Sequence, residues 1–262
     1  MKWCWCRFDN GGVPSYGLVE GDQVIQVDGD PFNGHRETDV RLDLGQVKLL
    51  VPVVPPTLYA GGLNYPDHVV WAAEHAGTAP VWPKEPIVGT RATSGLIAHE
   101  ENIVKPDDAT EEFQYEGELV AVIGKTAKYL SREEALDCVL GYTIGNDVSE
   151  RTWQRDDPNN WRAKDSDTFH PMGPFITTGI DPTDLEVKVR LNGDEKIRFN
   201  TGTMIWAVAD YIQKITRYHT LQPGDTIWTG TEGATLNMHP GDTIEIEIQD
   251  IGILRNHVVS ES

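Results

Sequence analysis

The run Gln114–Gly124, QYEGELVAVIG, limits what this chain can fold into more than any other stretch. Leu119-Val120-Ala121-Val122-Ile123 is an unbroken apolar run bounded by Gly124. Without polar alternation it predicts a strand covered on both faces. Glu116 and Glu118 stand at its start. Residues i and i+2 of a strand share a face, with Cα atoms roughly 6.5–7 Å apart. Two carboxylates so placed repel, and burying them unpaired is costly. The fold therefore needs a sheet interior that opens, at this end, either on solvent or on a cation. Gly117 between them leaves room for close backbone approach.

The rest of the chain reads as mostly strand. Lys2–Phe8, the turn Asp9-Asn10-Gly11-Gly12, Tyr16–Val19 and Gln23–Val27 form a meander pattern. Pro52, Pro55 and Pro56 mark a soft boundary. Ser131-Arg132-Glu133-Glu134 has capping-box spacing, which predicts a helix to Leu140 with Gly141 as its stop. Gly141–Val148 predicts a second strand. Met204, Ile205, Val208, Tyr211, Ile212 and Ile215 recur at helical spacing, so a helix is expected over 203–216. Pro223-Gly224-Asp225-Thr226-Ile227 and Pro240-Gly241-Asp242-Thr243-Ile244 repeat one turn-then-strand device. The second continues as Ile244-Glu245-Ile246-Glu247-Ile248, the alternation of a strand buried on one face. The expected class is α+β, mainly β.

Charge narrows the function. With 41 Asp plus Glu against 22 Lys plus Arg, the formal net charge is −19. This argues against nucleic acid, whose phosphates need Lys and Arg, and against anionic lipid. It also repels acidic substrates unless a local cation inverts the field. The three cysteines, Cys4, Cys6 and Cys138, make no disulfide framework and no zinc spacing. No signal-peptide pattern, glycosylation acceptor or membrane-length apolar run is found, so a cytoplasmic protein is expected.

Several residues are candidates for chemistry. Asp147 follows the strand pattern Gly141–Asn146, at a strand end like the two glutamates. Three carboxylates without Cys or His make a hard oxygen-donor set suited to Mg²⁺, Mn²⁺ or Ca²⁺. Alternatively, Asp147 caps the turn into Val148-Ser149. Asn64–Gly77 predicts a helix with Pro66 at its first position and Gly77 as its stop. On it Asp67 and Glu74 share a face, as do His68 and His75, and a His near a carboxylate can serve as a general base. A plain surface helix is the alternative. Lys164, Arg151 and Gln154 are candidate carboxylate clamps in so acidic a chain. His170, His219, His239 and His257 stand alone and read as structural or solvated.

Taken together, three motifs resemble the fumarylacetoacetate hydrolase family: Tyr115-Glu116-Gly117-Glu118-Leu119, Gly141–Ser149 and Lys164-Asp165-Ser166-Asp167-Thr168-Phe169. The resemblance continues through Gly173-Pro174-Phe175-Ile176, Leu221–Asp225, Thr229-Gly230-Thr231 and Gly252–Asn256, and covers roughly residues 58–259 in the family's order. It implies a mixed β-roll or β-sandwich catalytic domain over 58–262, a small β domain over 1–57, and a homodimer. It implies Mg²⁺ or Mn²⁺ on Glu116, Glu118 and Asp147, with Asp67 where some relatives have a fourth ligand. Lys164 matches the active-site lysine. Arg151, Gln154 and Tyr65 match the substrate side, and Thr231 belongs to the loop that meets the substrate carboxylate. The implied substrate is a 2-oxo or 2,4-dioxo acid, met also in aromatic catabolism. Its carboxylate and oxo oxygens would share the cation, stabilising the charge that develops on C–C cleavage or enolisation.

The departures cluster around the substrate. Hydrolytic relatives carry a His and, three residues on, a Glu that activates water. Here Trp71 stands three after His68, and Glu74 stands six after it, roughly 120° away on a helix. His75 is the other candidate. Arg91 stands where a loop lysine is usual, Glu232 where proline is usual, Ala234-Thr235 where a hydrophobic-glycine pair is usual, and Glu150 where the residue is usually small. The leading expectation is an acylpyruvate-type C–C hydrolase. A decarboxylase or keto–enol isomerase is the runner-up, and a metal-stabilised binding protein without catalysis is third.

Overall fold

The computed structural model describes residues 2–233 and 235–262, so Ala234, one of the departures named above, lies outside the described residues. The architecture is mainly β, as expected. A twelve-stranded mixed sheet runs Gly34–Asp43, Gln23–Asp30, Val13–Glu20, Cys4–Asn10, His170–Thr177, Val139–Asn146, Gly117–Ile123, Thr226–Trp228, Leu58–Gly62, Ile87–Arg91, with two short strands off this path. The three strands expected of the N-terminal meander are Cys4–Asn10, Val13–Glu20 and Gln23–Asp30, and a fourth that the sequence did not mark, Gly34–Asp43, extends it. The meander joins the remainder through Cys4↔Thr177 and Trp5↔Ile176, so one hydrogen-bonded sheet runs through both parts of the chain.

The strand Gly117–Ile123 lies inside this sheet and every residue of it is buried. Leu119, Ala121 and Ile123 pack in one cluster with Ile244, Ile246 and Ile248 of a second, five-stranded sheet. Val120 and Val122 pack on the other side with Trp5, Leu58, Met172 and Trp228. Two-sided cover is what an unbroken apolar run requires. Thr243–Ile248, one strand of the second sheet, alternates as expected, Ile inward and Glu outward. Both Pro-Gly-Asp turns are locked alike. Asp225 accepts the N–H of Gln222 and Asp242 that of His239, with Gly224 and Gly241 at φ +90° and +99°.

Three helices are present among the described residues: α1, Pro66–Ala76; α2, Arg151–Gln154; α3, Val208–Tyr218. The limits of α1 match expectation, with Pro66 at its start and Gly77 left-handed at φ +65° as its stop. Two expectations need correction. The helix expected from Ser131 to Leu140 is a turn followed by one 3-10 segment, Ala135–Cys138. Its capping box does form, Ser131 and Glu134 exchanging backbone-to-side-chain bonds. Val139 is already taken by the strand paired to Ile123, which leaves no length for a helix. The expected helix 203–216 starts late, at Val208, because Ile205 and Trp206 give their N–H groups to Asn64. No helix of the described residues is long and apolar enough to cross a membrane.

Candidate active site

Antiparallel pairing brings the three acids together. Gly117 pairs with Asn146 and Glu118 with Gly145, so Glu116 and Glu118 at one strand's start meet Asp147 just past the other's end. The Asp147 N–H bonds the Glu116 carbonyl at 3.0 Å, and the Asn146 side chain accepts the Glu116 N–H at 2.9 Å. Gly145 lets Trp228 close over this point, since a Cβ there would fall 2.4 Å from its ring. Glu116, Glu118 and Asp147 each offer one oxygen within 4.8 Å of the others, and all three are buried.

Cations meet them unevenly. Lys164 Nζ lies 2.5 Å from Glu116 and 2.8 Å from Asp147. Arg151 holds the other Glu116 oxygen at 2.6 Å, and Arg91 forks onto Asp147 at 3.2 and 3.1 Å. Burial works to raise the Glu116 carboxyl, yet Arg151 and Lys164 overcome it and hold it at about 2. Asp147 is likewise held well below the carboxylate range by Arg91 and Lys164 against its burial. Among the described residues Glu118 accepts only the Gly230 N–H, at 2.8 Å. Burial, and then Asp147 and Glu116, push it well above the usual range. The donor set is thus all oxygen, converging, and short of positive charge at Glu118, which fits a Mg²⁺ or Mn²⁺ ion held by these three residues.

A cavity of about 660 Å³ opens over Glu116 and Glu118, with α1 as one wall. His68, Trp71 and His75 face it from the helix. His68 Nδ1 lies 3.1 Å from the Thr231 carbonyl, which can only accept, so Nδ1 bears the proton and Nε2 the lone pair. Burial lowers the His68 pKa, only partly opposed by Glu116. Trp71 lies under Arg151, whose guanidinium carbon is 5.3 Å from the ring centre, and His75 stacks on Trp71 at 4.1 Å. Gln154 accepts from Arg151 at 3.1 Å. Thr231 lines the cavity with its hydroxyl unpartnered.

Other expected residues lie elsewhere. Glu74 is exposed and outside the cavity wall, so it is not brought to His68. Tyr65 is fully buried beneath the helix, its ring edge-on to Phe199 at 5.1 Å. Asp67 stands apart from the triad and faces Glu232. Burial and then Asp67 push the Glu232 carboxyl up to about 7. Glu150 does not line the cavity. It caps α2 by accepting the Trp153 N–H at 2.5 Å and also accepts from Thr110. Missed in the sequence was Gln114, which takes bonds from Arg151 and Thr235 and gives one to Asn237. Its only signal was its place beside Glu116.

Buried acids at the strand ends of a mixed β fold, faced by a lysine and two arginines, form a group that could hold a divalent cation. Comparison with known proteins agrees. The fumarylacetoacetate (FAA) hydrolase C-terminal description matches residues 57–259, and the Rv2993c-like N-terminal description matches residues 1–52. The chain belongs to the fumarylacetoacetate hydrolase family, whose members are enzymes. It is 34% identical to a 2,4-didehydro-3-deoxy-L-rhamnonate hydrolase of Sphingomonas sp. (strain SKA58), across 97% of this chain and 95% of that one. It is 38% identical to a 4-hydroxyphenylacetate degradation bifunctional isomerase/decarboxylase of Salmonella dublin, across 78% of this chain and 47% of that one. Among solved structures it resembles 2-hydroxyhepta-2,4-diene-1,7-dioate isomerase from Mycobacterium marinum, with TM-score 0.89, 32% identity and 99% of both chains covered. It also resembles maleylpyruvate hydrolase from Sphingobium sp. SYK-6 in complex with manganese(II) and pyruvate, with TM-score 0.79, 27% identity and 100% of both chains covered.

Proposed function

We propose that this protein is a Mg²⁺- or Mn²⁺-dependent enzyme of 2-oxo acids that decarboxylates its substrate or shifts it between keto and enol forms. A hydrolytic branch needs a carboxylate to activate water beside His68. The observation that carries the non-hydrolytic reading is what stands there instead. Trp71 stands three residues after His68 and packs its ring against Arg151, the partner of Glu116, and Glu74 is exposed.

A divalent ion held by Glu116, Glu118 and Asp147 would supply the charge that stabilises a developing enolate. The chain's own residues do the rest. Lys164 Nζ, already shared between two of the acids, delivers or removes the proton at the enol oxygen or adjacent carbon. His68, neutral with its lone pair on Nε2, is the second group that can take a proton. Arg151, oriented by Gln114 and Gln154, and the free Thr231 hydroxyl orient the substrate carboxylate. Trp71 and His75 exclude water above it. The homodimer rests on the family resemblance, and light scattering at twice the chain mass would support it.

The test supplies oxaloacetate, an acylpyruvate and a 2-hydroxy-dienoate, each with Mn²⁺ or Mg²⁺. Loss of CO₂ or tautomerisation without acylpyruvate hydrolysis is expected. Efficient hydrolysis of the acylpyruvate would overturn the assignment in favour of the hydrolase.

A further inference from the structure

His170 opens the strand His170–Thr177 and is fully buried. Its Nε2 lies 3.1 Å from Asp165 Oδ1, and its Nδ1 faces Asp147 Oδ1 at 3.6 Å. That second contact is too long for a hydrogen bond, and Nδ1 is one of the buried side-chain atoms without a partner. The same Asp165 oxygen accepts the N–H of Ala92 at 3.1 Å. Ala92 follows Arg91, which grips both oxygens of Asp147. Asp165 in turn follows Lys164, which also holds Asp147. The chain thus closes a circuit from Asp147 through Arg91, Ala92, Asp165 and His170 back to Asp147. Packing fixes the imidazole plane. Trp228 lies edge-on to it at 5.9 Å, and a Cβ on Gly95 would fall 2.7 Å from its Cδ2.

We infer that His170 is a positioning residue for the candidate metal ligand Asp147. Asp165 fixes the ring so that Nδ1 faces Oδ1 and sets how that carboxylate is presented to Glu116 and Glu118. Such outer partners typically change metal affinity by about 10–100-fold. The inference rests on the reading of the three acids as a cation site.

The test measures Mn²⁺ affinity from the paramagnetic resonance signal of free Mn²⁺, which needs no turnover. An asparagine amide reproduces the Nδ1 side of the imidazole, and a glutamine amide the Nε2 side. His170→Gln and His170→Phe should weaken Mn²⁺ about tenfold or more, while His170→Asn, which keeps the Nδ1 side but loses the bond to Asp165, should fall between them and wild type. Should the His170 variants fail to fold, Gly95→Ala displaces the ring without removing a polar group and should weaken Mn²⁺ in the same sense. Unchanged affinity in His170→Gln and His170→Phe, or in Gly95→Ala, overturns the inference. So does an His170→Asn variant as weak as His170→Phe. Wild-type protein that takes up no stoichiometric Mn²⁺ would instead overturn the cation site itself.

Discussion

Replacing Lys164 with methionine separates its electrostatic work from its chemical work. Its ammonium is buried and bridges Glu116 at 2.5 Å and Asp147 at 2.8 Å. Removing one partner of a buried ion pair typically costs about 3–5 kcal/mol, because a charge is left uncompensated. Here each acid keeps another cation, Arg151 on Glu116 and Arg91 on Asp147, so the low end, about 3 kcal/mol, applies. In a chain of this length that lowers the melting temperature by roughly 6 °C or more. The assay is thermal unfolding of Lys164→Met and wild type in EDTA and again in saturating Mn²⁺. With the ion present, the lost positive charge is replaced and most of the deficit should vanish. Turnover should not return, and a fall of about 10²-fold or more is expected for a lost proton-transfer group. A variant as stable as wild type in EDTA would refute the electrostatic reasoning. A stable, Mn²⁺-binding variant with full turnover would refute the chemical role.

Glu118 gives a pH test. Its raised pKa means that the folded, ion-free protein holds a proton the unfolded chain releases near pH 4.5. Stability in EDTA should therefore fall as pH rises above that value, and Glu118→Gln should flatten the curve. In Mn²⁺ the trend should reverse, since the ion requires the ionised ligand. Glu150→Ala should cost about 1–2 kcal/mol by denaturant unfolding, as the loss of a buried N-cap does, and should raise KM by loosening the helix that presents Arg151 and Gln154. Glu232, with its carboxyl near 7 beside Asp67, holds the loop to α1 more firmly when protonated. Hydrogen-exchange protection in residues 66–76, taken relative to the intrinsic exchange rate at each pH, should fall from pH 6 to pH 8 in wild type and stay flat in Glu232→Gln.

The sequence made some of this legible and hid the rest for physical reasons. The strand Gly117–Ile123 could be read because an apolar run with no alternation has few other uses, and the acids at its mouth then stood out as costly. Helix α1 was legible because its two ends are set by local chemistry, Pro66 and the left-handed Gly77. The expected helix after Ser131 failed although its cap forms, because a long-range pairing, Ile123 with Val139, outweighed a local preference. In the site the same divide holds. Glu116 and Glu118 are neighbours in sequence, whereas His170 reads as an isolated histidine because Asp147 stands far before it. Glu150 looked like a change at the substrate because it stands where the residue is usually small. The side chain of a residue entering a helix turns toward free N–H groups, away from the cavity.

One feature of the sheet bears on kinetics rather than affinity. Ile87–Arg91 is its outermost strand on this side, bonded among the described residues only to Leu58–Gly62. Such an edge can open locally at small free-energy cost while the interior strands stay closed. Arg91 ends that strand, so whenever the edge frays, the fork on Asp147 goes with it. Glu116 and Glu118 belong to the interior and do not share that freedom. How quickly an ion enters or leaves would then be governed by the sheet's margin, and how tightly it is held by the sheet's centre. A substitution along Ile87–Thr90 should therefore change exchange rates more than it changes the equilibrium constant.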